Sequence, residues 1–277
     1  MSRTGCKFGF IAGLSVLSCW LVSSGCEKPP GPVVLDVGDI KPAADYSDLA
    51  AVLSEAVDKD GLVQPDALKE LTGRLDKQLK LLAVTGPSAT PELFPTPADR
   101  LAYWYNARAA WAVKLAALAE FPEEITPAEL SQRPVPLDGR MMTLAGIDEE
   151  ILTAGGWQAL VAAPGVLSQR AQLSTKPFGA KGIRERIAER FEQFADDADR
   201  FVIDVRAKKV LVPPVVWRFA QDIIDNHNKT YGTVGATLTT ALLSYVTGSA
   251  HRRLQNAIGY TPIAARRCGK LAVVKDE

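Results

Sequence analysis

Apolar residues return every third or fourth position in the first periodic stretch, where Leu49, Val52, Leu53, Ala56 and Val57 predict a helix over residues 46–57. The turn Asp58-Lys59-Asp60-Gly61 closes it. Leu68, Leu71, Leu75, Leu79 and Leu82 repeat the spacing from Pro65 or Asp66 to Val84, so a second helix follows with its Lys and Glu residues facing solvent. The third, from Pro97 to about Glu120, is apolar nearly all round and polar only at Arg100, Asn106, Arg108 and Lys114. Such a helix belongs at the centre of the core. Thr96 is its expected N-cap, Pro97 fills the first turn where an N–H is dispensable, and Asp99 completes a capping box.

Beyond it, "PVPLDGRMMTL" has strand-like flanks around Asp138-Gly139, a two-residue hairpin signal. "AGIDEEIL" reads as a short helix, and the apolar run Trp157 to Ala163, bounded by glycines and by Pro164-Gly165, reads as a buried strand, with a helix as the alternative. A charged amphipathic helix from Ala180 to about Ala198 buries Ile183, Ile187, Phe191 and Phe194. Two short strands flank the basic turn of "FVIDVRAKKVLVP". A helix then runs from Pro213 or Pro214 to about Asn226, and a long one from Gly235 to about Ile258, with possible strands at 260–264 and 271–274. The sum is an α+β, helix-rich single domain over residues 45–277 with a few short antiparallel strands. It lacks the βαβ alternation of a parallel-sheet nucleotide fold.

Length and composition fit that class: 277 residues, 47% hydrophobic and 23% charged, are enough for a large core. Lys plus Arg and Asp plus Glu both total 32, so no overall field draws nucleic acid, and none is expected as a partner. The first residues are distinct. Arg3 and Lys7 precede an apolar run from Phe8 to Val22, then Ser23-Ser24-Gly25-Cys26. This has the layout of a secretory signal, and the run is shorter than the roughly 20 residues that span a bilayer. The ending resembles a bacterial lipoprotein box, with Ser23 where Leu is usual. The expected mature chain therefore starts at an acylated Cys26, with residues 1–25 removed; ordinary secretion and an uncleaved anchor are the alternatives. Pro- and Gly-rich residues 26–44 read as a stiff tether. The expected location is extracytoplasmic and lipid-anchored, on the outer membrane or the periplasmic face, since Glu27 replaces the Asp of an inner-membrane retention signal.

That processing removes Cys6 and Cys19 and consumes Cys26, leaving Cys268 as the domain's one thiol, so neither an internal disulfide nor a cysteine metal cluster is expected. The stretch "AYWYNARAAW" raises the main chemical question, because a buried polar group without a partner costs on the order of 2–7 kcal/mol. Trp104, Asn106 and Arg108 are the candidates for a polar site or a pin of the scaffold. Asn106 shares its helix face with Ala102, Ala109, Ala110, Val113 and Ala117, small residues that let a second backbone approach its amide. Arg108 is placed to stack on Trp104 or Trp111, or to pair with a carboxylate.

The remaining chemistry is sparse. The two histidines, His227 and His251, sit in no metal-ligand spacing, and no metal or cofactor is expected. His227 reads as a loop residue after a helix. Asp58 and Asp60 make a plain turn, without the further ligands and terminal Glu of a calcium loop. Cys268 and His251 are weak candidates for a thiol–imidazole pair, with Arg266, Arg267 and Lys270 close in sequence to favour a thiolate. No Gly-x-Ser-x-Gly elbow occurs. The basic run His251-Arg252-Arg253 reads as compensation of a helix C-terminus and solvated surface.

From about Tyr46 to Ile224 the chain resembles the domain of unknown function 547 family. The resemblance rests on "DGLVQPDALKELTGRLDKQLKLL", "DRLAYWYNARAA", "LDGRMMTLAGIDEEIL" and "FVIDVRAKKVLVPPVVWRFAQDI", in that order. The family also carries an Arg-Ile-His-Phe-Ala-Leu-x-Cys segment whose His and Cys suit nucleophile chemistry. Here Trp157, Ala159 and Pro164 stand at the Arg, His and Cys positions, and Pro65 stands where the opening motif has Tyr. The resemblance thus implies the fold with the reactive pair lost. The expected function is a non-catalytic binding or structural module, held to the membrane by its N-terminal lipid and meeting a cell-envelope component or a protein partner. A cell-envelope hydrolase with its site around Asn106 and Arg108 is the alternative.

Overall fold

The computed structural model describes residues 30–266 and 268–274; the expected signal segment and Cys26 lie outside them. Helix α1 (Ser47–Ala56) buries Leu49, Val52, Leu53 and Ala56 against α2 (Pro65–Glu70) and α3 (Thr72–Val84). The single helix expected over 65–84 is broken at Leu71, which has φ −100° and ψ 4°. Beside the break, Thr72 Oγ1 donates to the carbonyls of Leu68 and Lys69 at 3.2 and 3.0 Å, the local competition that makes Thr a poor helix interior. At the preceding turn, Asp58 Oδ1 accepts the N–H groups of Asp60 and Leu62, so that carboxylate shapes the turn itself.

Helix α4 (Pro97–Leu118) is the centre of the molecule, buried without interruption from Leu101 to Val113. Its start follows the sequence: Thr96 Oγ1 accepts from Asp99 N–H at 3.1 Å, and Asp99 Oδ2 accepts from Thr96 N–H at 3.0 Å. After α5 (Pro127–Gln132) comes the hairpin β1 (Val135–Leu137) and β2 (Arg140–Met142), pairing Leu137 with Arg140. Asp138 and Gly139 take φ of 54° and 71°, the two positive values that a tight hairpin turn demands.

Residues 157–163 correct the strand expected there. Residues 157–162 continue α6 (Leu144–Ala162), with Ala163 as its extended C-cap, and the two halves of the helix meet at a kink where Gly156 has φ 78° and ψ −177°. The second half lies between α4 and α7 (Ile183–Asp196), and Leu160, Val161, Ala162 and Ala163 are sealed there. An apolar run enclosed on all sides has lost the period that would tell helix from strand.

The second sheet orders β3 (Val202–Asp204), β4 (Lys209–Val212) and β5 (Thr261–Ala264). Its first pair is antiparallel, but β4 and β5 run parallel, with Val210 opposite Pro262, which departs from the all-antiparallel expectation. A parallel pair needs a long crossover. Four helices supply it: α8 (Pro214–Trp217), α9 (Ala220–Tyr231), α10 (Leu238–Leu242) and α11 (Gly248–Asn256). The long helix expected over 235–258 is therefore two, separated at Leu243–Thr247, and Gly248 begins the second at φ 56°. Helix α9 runs past Asn226 to a left-handed Gly232, so His227 lies within a helix rather than a loop, its Nδ1 3.2 Å from Ser244 Oγ. The possible strand at 271–274 is reduced to isolated bridges, Leu271 with Leu167 and Val273 with Val63.

From Pro30 onward the expected tether lies along the domain. Val33 N–H donates to the Pro134 carbonyl at 2.8 Å, Arg133 Nε to Gly31 at 3.2 Å, and Ala43 N–H to Thr85 Oγ1 at 3.2 Å, while Val33 and Leu35 pack on the core. Among the described residues no helix is long and apolar enough to cross a membrane.

Candidate functional site

Asn106 is fully buried, and its amide brackets one residue: Nδ2 donates to the Phe178 carbonyl at 2.9 Å and Oδ1 accepts the Phe178 N–H at 2.7 Å. That two-way bond fastens the loop between α6 and α7 to the central helix. Arg186 of α7 holds the same loop, through the Pro177 and Lys176 carbonyls, with its guanidinium 4.0 Å above the Phe178 ring. Trp104 is also buried and meets Tyr103 edge-on at 4.8 Å. Neither Trp104 nor Asn106 lines a cavity among the described residues that Arg108 lines.

Arg108, one turn of aromatics and alanines later, pairs with a carboxylate. Its Nε lies 2.6 Å from Asp148 Oδ1, and its Nη1 donates to the Pro164 carbonyl. Arg170, carried by the loop after α6, binds the other oxygen of Asp148 through Nη2. The result is a buried triad of two guanidiniums on one carboxylate, net +1 when all are ionised. Burial pushes the Asp148 carboxyl up, but Arg108 and Arg170 together outweigh it and hold the group below its ordinary value of 3.8. Burial likewise draws Arg170 down against the pull of Asp148. Gly165 gives the room for this approach: a Cβ there would lie 3.0 Å from both Arg108 Nη1 and Arg170 Cβ.

The triad lines a cleft of about 650 Å³, within the roughly 300–1,000 Å³ of small-molecule sites. Leu144 and Leu160 of α6, Leu167, Val215 and Trp217 give it apolar walls, and Leu130, Ser131 and Gln132 of α5 close one side. At its rim Arg218 Nη2 pairs with Glu149 at 2.8 Å, an exposed bond of little energetic weight. Cys268 also lines the cleft, brought there by Gln169, whose Oε1 accepts the Cys268 N–H at 2.8 Å and whose Nε2 donates to the Arg266 carbonyl at 2.6 Å.

Arg108 and Cys268 are thus brought to one cavity, and His251 is not in its lining. His251 sits on α11, which packs against α7 and α10. There the basic run acts across elements: Arg253 donates to the Ala195 and Asp196 carbonyls at the end of α7, each at 2.9 Å. Asp196 in turn accepts from Ser249 Oγ and Ala250 N–H at the start of α11, both at 2.8 Å, and these bonds hold its carboxyl below the ordinary value. No cluster of three or more potential metal ligands occurs among the described residues.

Asp148, Arg170 and Gln169 are the site residues that sequence reasoning did not single out. Asp148 had a signal: Leu144, Asp148 and Ile151 follow at helical spacing, which sets an acid on an otherwise apolar stripe. Arg170 and Gln169 stand in a segment without period and carried none. Compared with family models, with curated proteins and with solved structures, the chain matches none.

Proposed function

We propose that the protein is a lipid-anchored, extracytoplasmic member of the domain of unknown function 547 family that works as a non-catalytic binding module, with the cleft over Arg108 as its binding site. One observation carries the binding reading: a walled apolar cleft stands on a buried, net-positive ion triad. Apolar walls supply affinity, and a few fixed charged groups supply orientation, the usual division of labour in ligand pockets. The N-terminal sequence supports the anchor and the location. The four quoted motifs support the family.

Retention of envelope material tests the binding role. Ala264 is exposed at the cleft, so Ala264→Trp narrows its mouth without touching the triad. An envelope component held by the wild type, released with unchanged mass and not held by Ala264→Trp, is the expected result; equal retention by both overturns it. Palmitate labelling of wild type and Cys26→Ala tests the anchor, with label on the wild type alone expected.

The hydrolase reading draws on Cys268 in the same cleft as Arg108. A thiol nucleophile needs a neighbouring base. Its sulfur accepts the Lys270 N–H at 3.4 Å, a donor and not a base. A released product of lower mass, lost in Cys268→Ser, would favour that reading.

A further inference from the structure

The cleft has a polarity along its depth. Its buried part sets one carboxylate between two guanidiniums beside the sealed Leu144 and Leu160, and the lining reaches solvent at Trp217, which is 37% exposed. Among the described residues Arg108 Nη2 and Arg170 Nε have no hydrogen-bond partner, so donors remain on both guanidiniums for a further acceptor. An anion with an apolar body matches this lining, since its charge meets guanidinium donors without a protein partner and its body meets apolar side chains.

The position of the cleft says where such a ligand would come from. Helix α5 separates it from a second hollow of about 360 Å³ that holds Pro30, and Leu130 lines both. Arg133, just past α5, binds the Gly31 carbonyl. Cys26 stands four residues before Pro30, a reach of about 14 Å at full extension. A lipid on Cys26 would therefore keep Pro30, and the α5 side on which it lies, within that reach of the bilayer surface.

We propose that the cleft takes a single-chain carboxylate, an acyl chain ending in an ionised carboxyl group, received at the surface of the membrane that holds the protein. The carboxylate sits on Arg108 and Arg170, and the chain lies along Leu167, Val215 and Trp217. This rests on the binding reading of the cleft and adds the ligand class to it.

The test uses the full-length protein in membrane vesicles, with a diazirine-tagged decanoic acid as the photo-crosslinking probe. Label is expected on the segments 160–170 and 213–218. Decanoate is expected to displace the probe about tenfold better than decanol, as the loss of a charge-assisted hydrogen bond implies. Acetate, which lacks the chain, is expected to displace none. Arg170→Gln should lose most of the label and Arg170→Lys should retain more of it; Trp217→Ala, at the rim, should weaken labelling without affecting the fold. Decanol competing as well as decanoate, or equal labelling of wild type and both Arg170→Gln and Trp217→Ala, overturns the proposal. If the carboxylate fails while Ala264→Trp still abolishes retention of envelope material, the binding reading stands and this ligand class falls.

Discussion

Asp148 holds two guanidiniums in a place with little water, and its loss would leave them facing each other. Removing one partner from a buried ion pair costs about 3–5 kcal/mol, because the charge left behind has no compensation. Asp148→Asn is expected to lose that much in urea unfolding at neutral pH. The sign of the pH dependence follows from the depressed carboxyl. Its stabilising contribution is complete above the ordinary value of 3.8 and is lost as pH falls through the lower folded value. Wild type should therefore lose stability more steeply than Asp148→Asn below about pH 4, with urea midpoints between pH 2 and pH 7 as the measurement. Asn106 makes a second case at this scale. Its placement among alanines told that it needed a backbone partner, since the small face admits one. Which peptide answered was not legible, because Phe178 lies 72 residues away in a stretch without pattern. Asn106→Ala leaves the N–H and C=O of Phe178 buried and unmatched, at about 1–3 kcal/mol for each group. Equilibrium unfolding with an unchanged m-value is the check, and a loss below 1 kcal/mol would contradict the role given to the amide.

Elements were legible where their ends carry local chemistry. The start of α4 was set by Thr96, Pro97 and Asp99, and the β1–β2 turn by Asp138-Gly139, all within a few residues of one another. Elements were misread where packing decides. The second half of α6 is helical because it is enclosed between α4 and α7, and that enclosure is invisible along the chain. Its kink depends on Gly156, whose φ of 78° with ψ of −177° lies in a region that essentially only glycine visits. Gly156→Ala is expected to cost about 1–3 kcal/mol, although the added Cβ meets no side chain or neighbouring element within 4 Å. A change near zero in thermal or chemical unfolding would mean that the kink relaxes into one straight helix. The pairing of α7 with α11 shows the same limit: Arg253 was read as serving its own helix terminus, and it serves that of a neighbour.

At the scale of the whole molecule, three distant segments build the candidate site. Helix α4 supplies Arg108, α6 supplies Asp148, and the loop after α6 supplies Arg170, with the C-terminal strand and tail as a wall. The class of fold could be read from periodicity, since each helix and hairpin announces itself locally. The cleft could not, because it exists only where chain far apart in sequence meets. The strap from Pro30 to Ala44 adds a geometric consequence. It was read as a spacer that lifts the domain from a membrane, yet its bonds to Pro134 and Arg133 lay it on the domain. The lipid proposed on Cys26 would then act through a short leash.

The most direct test of the binding role is native mass spectrometry of the protein released gently from its own membranes, wild type beside Ala264→Trp. A non-covalent species is expected on the wild type, recovered with its mass unchanged, and is expected to be absent from the variant at an equal melting temperature. The same species on both proteins, or a wild type that carries only cleaved fragments of it, would contradict the account.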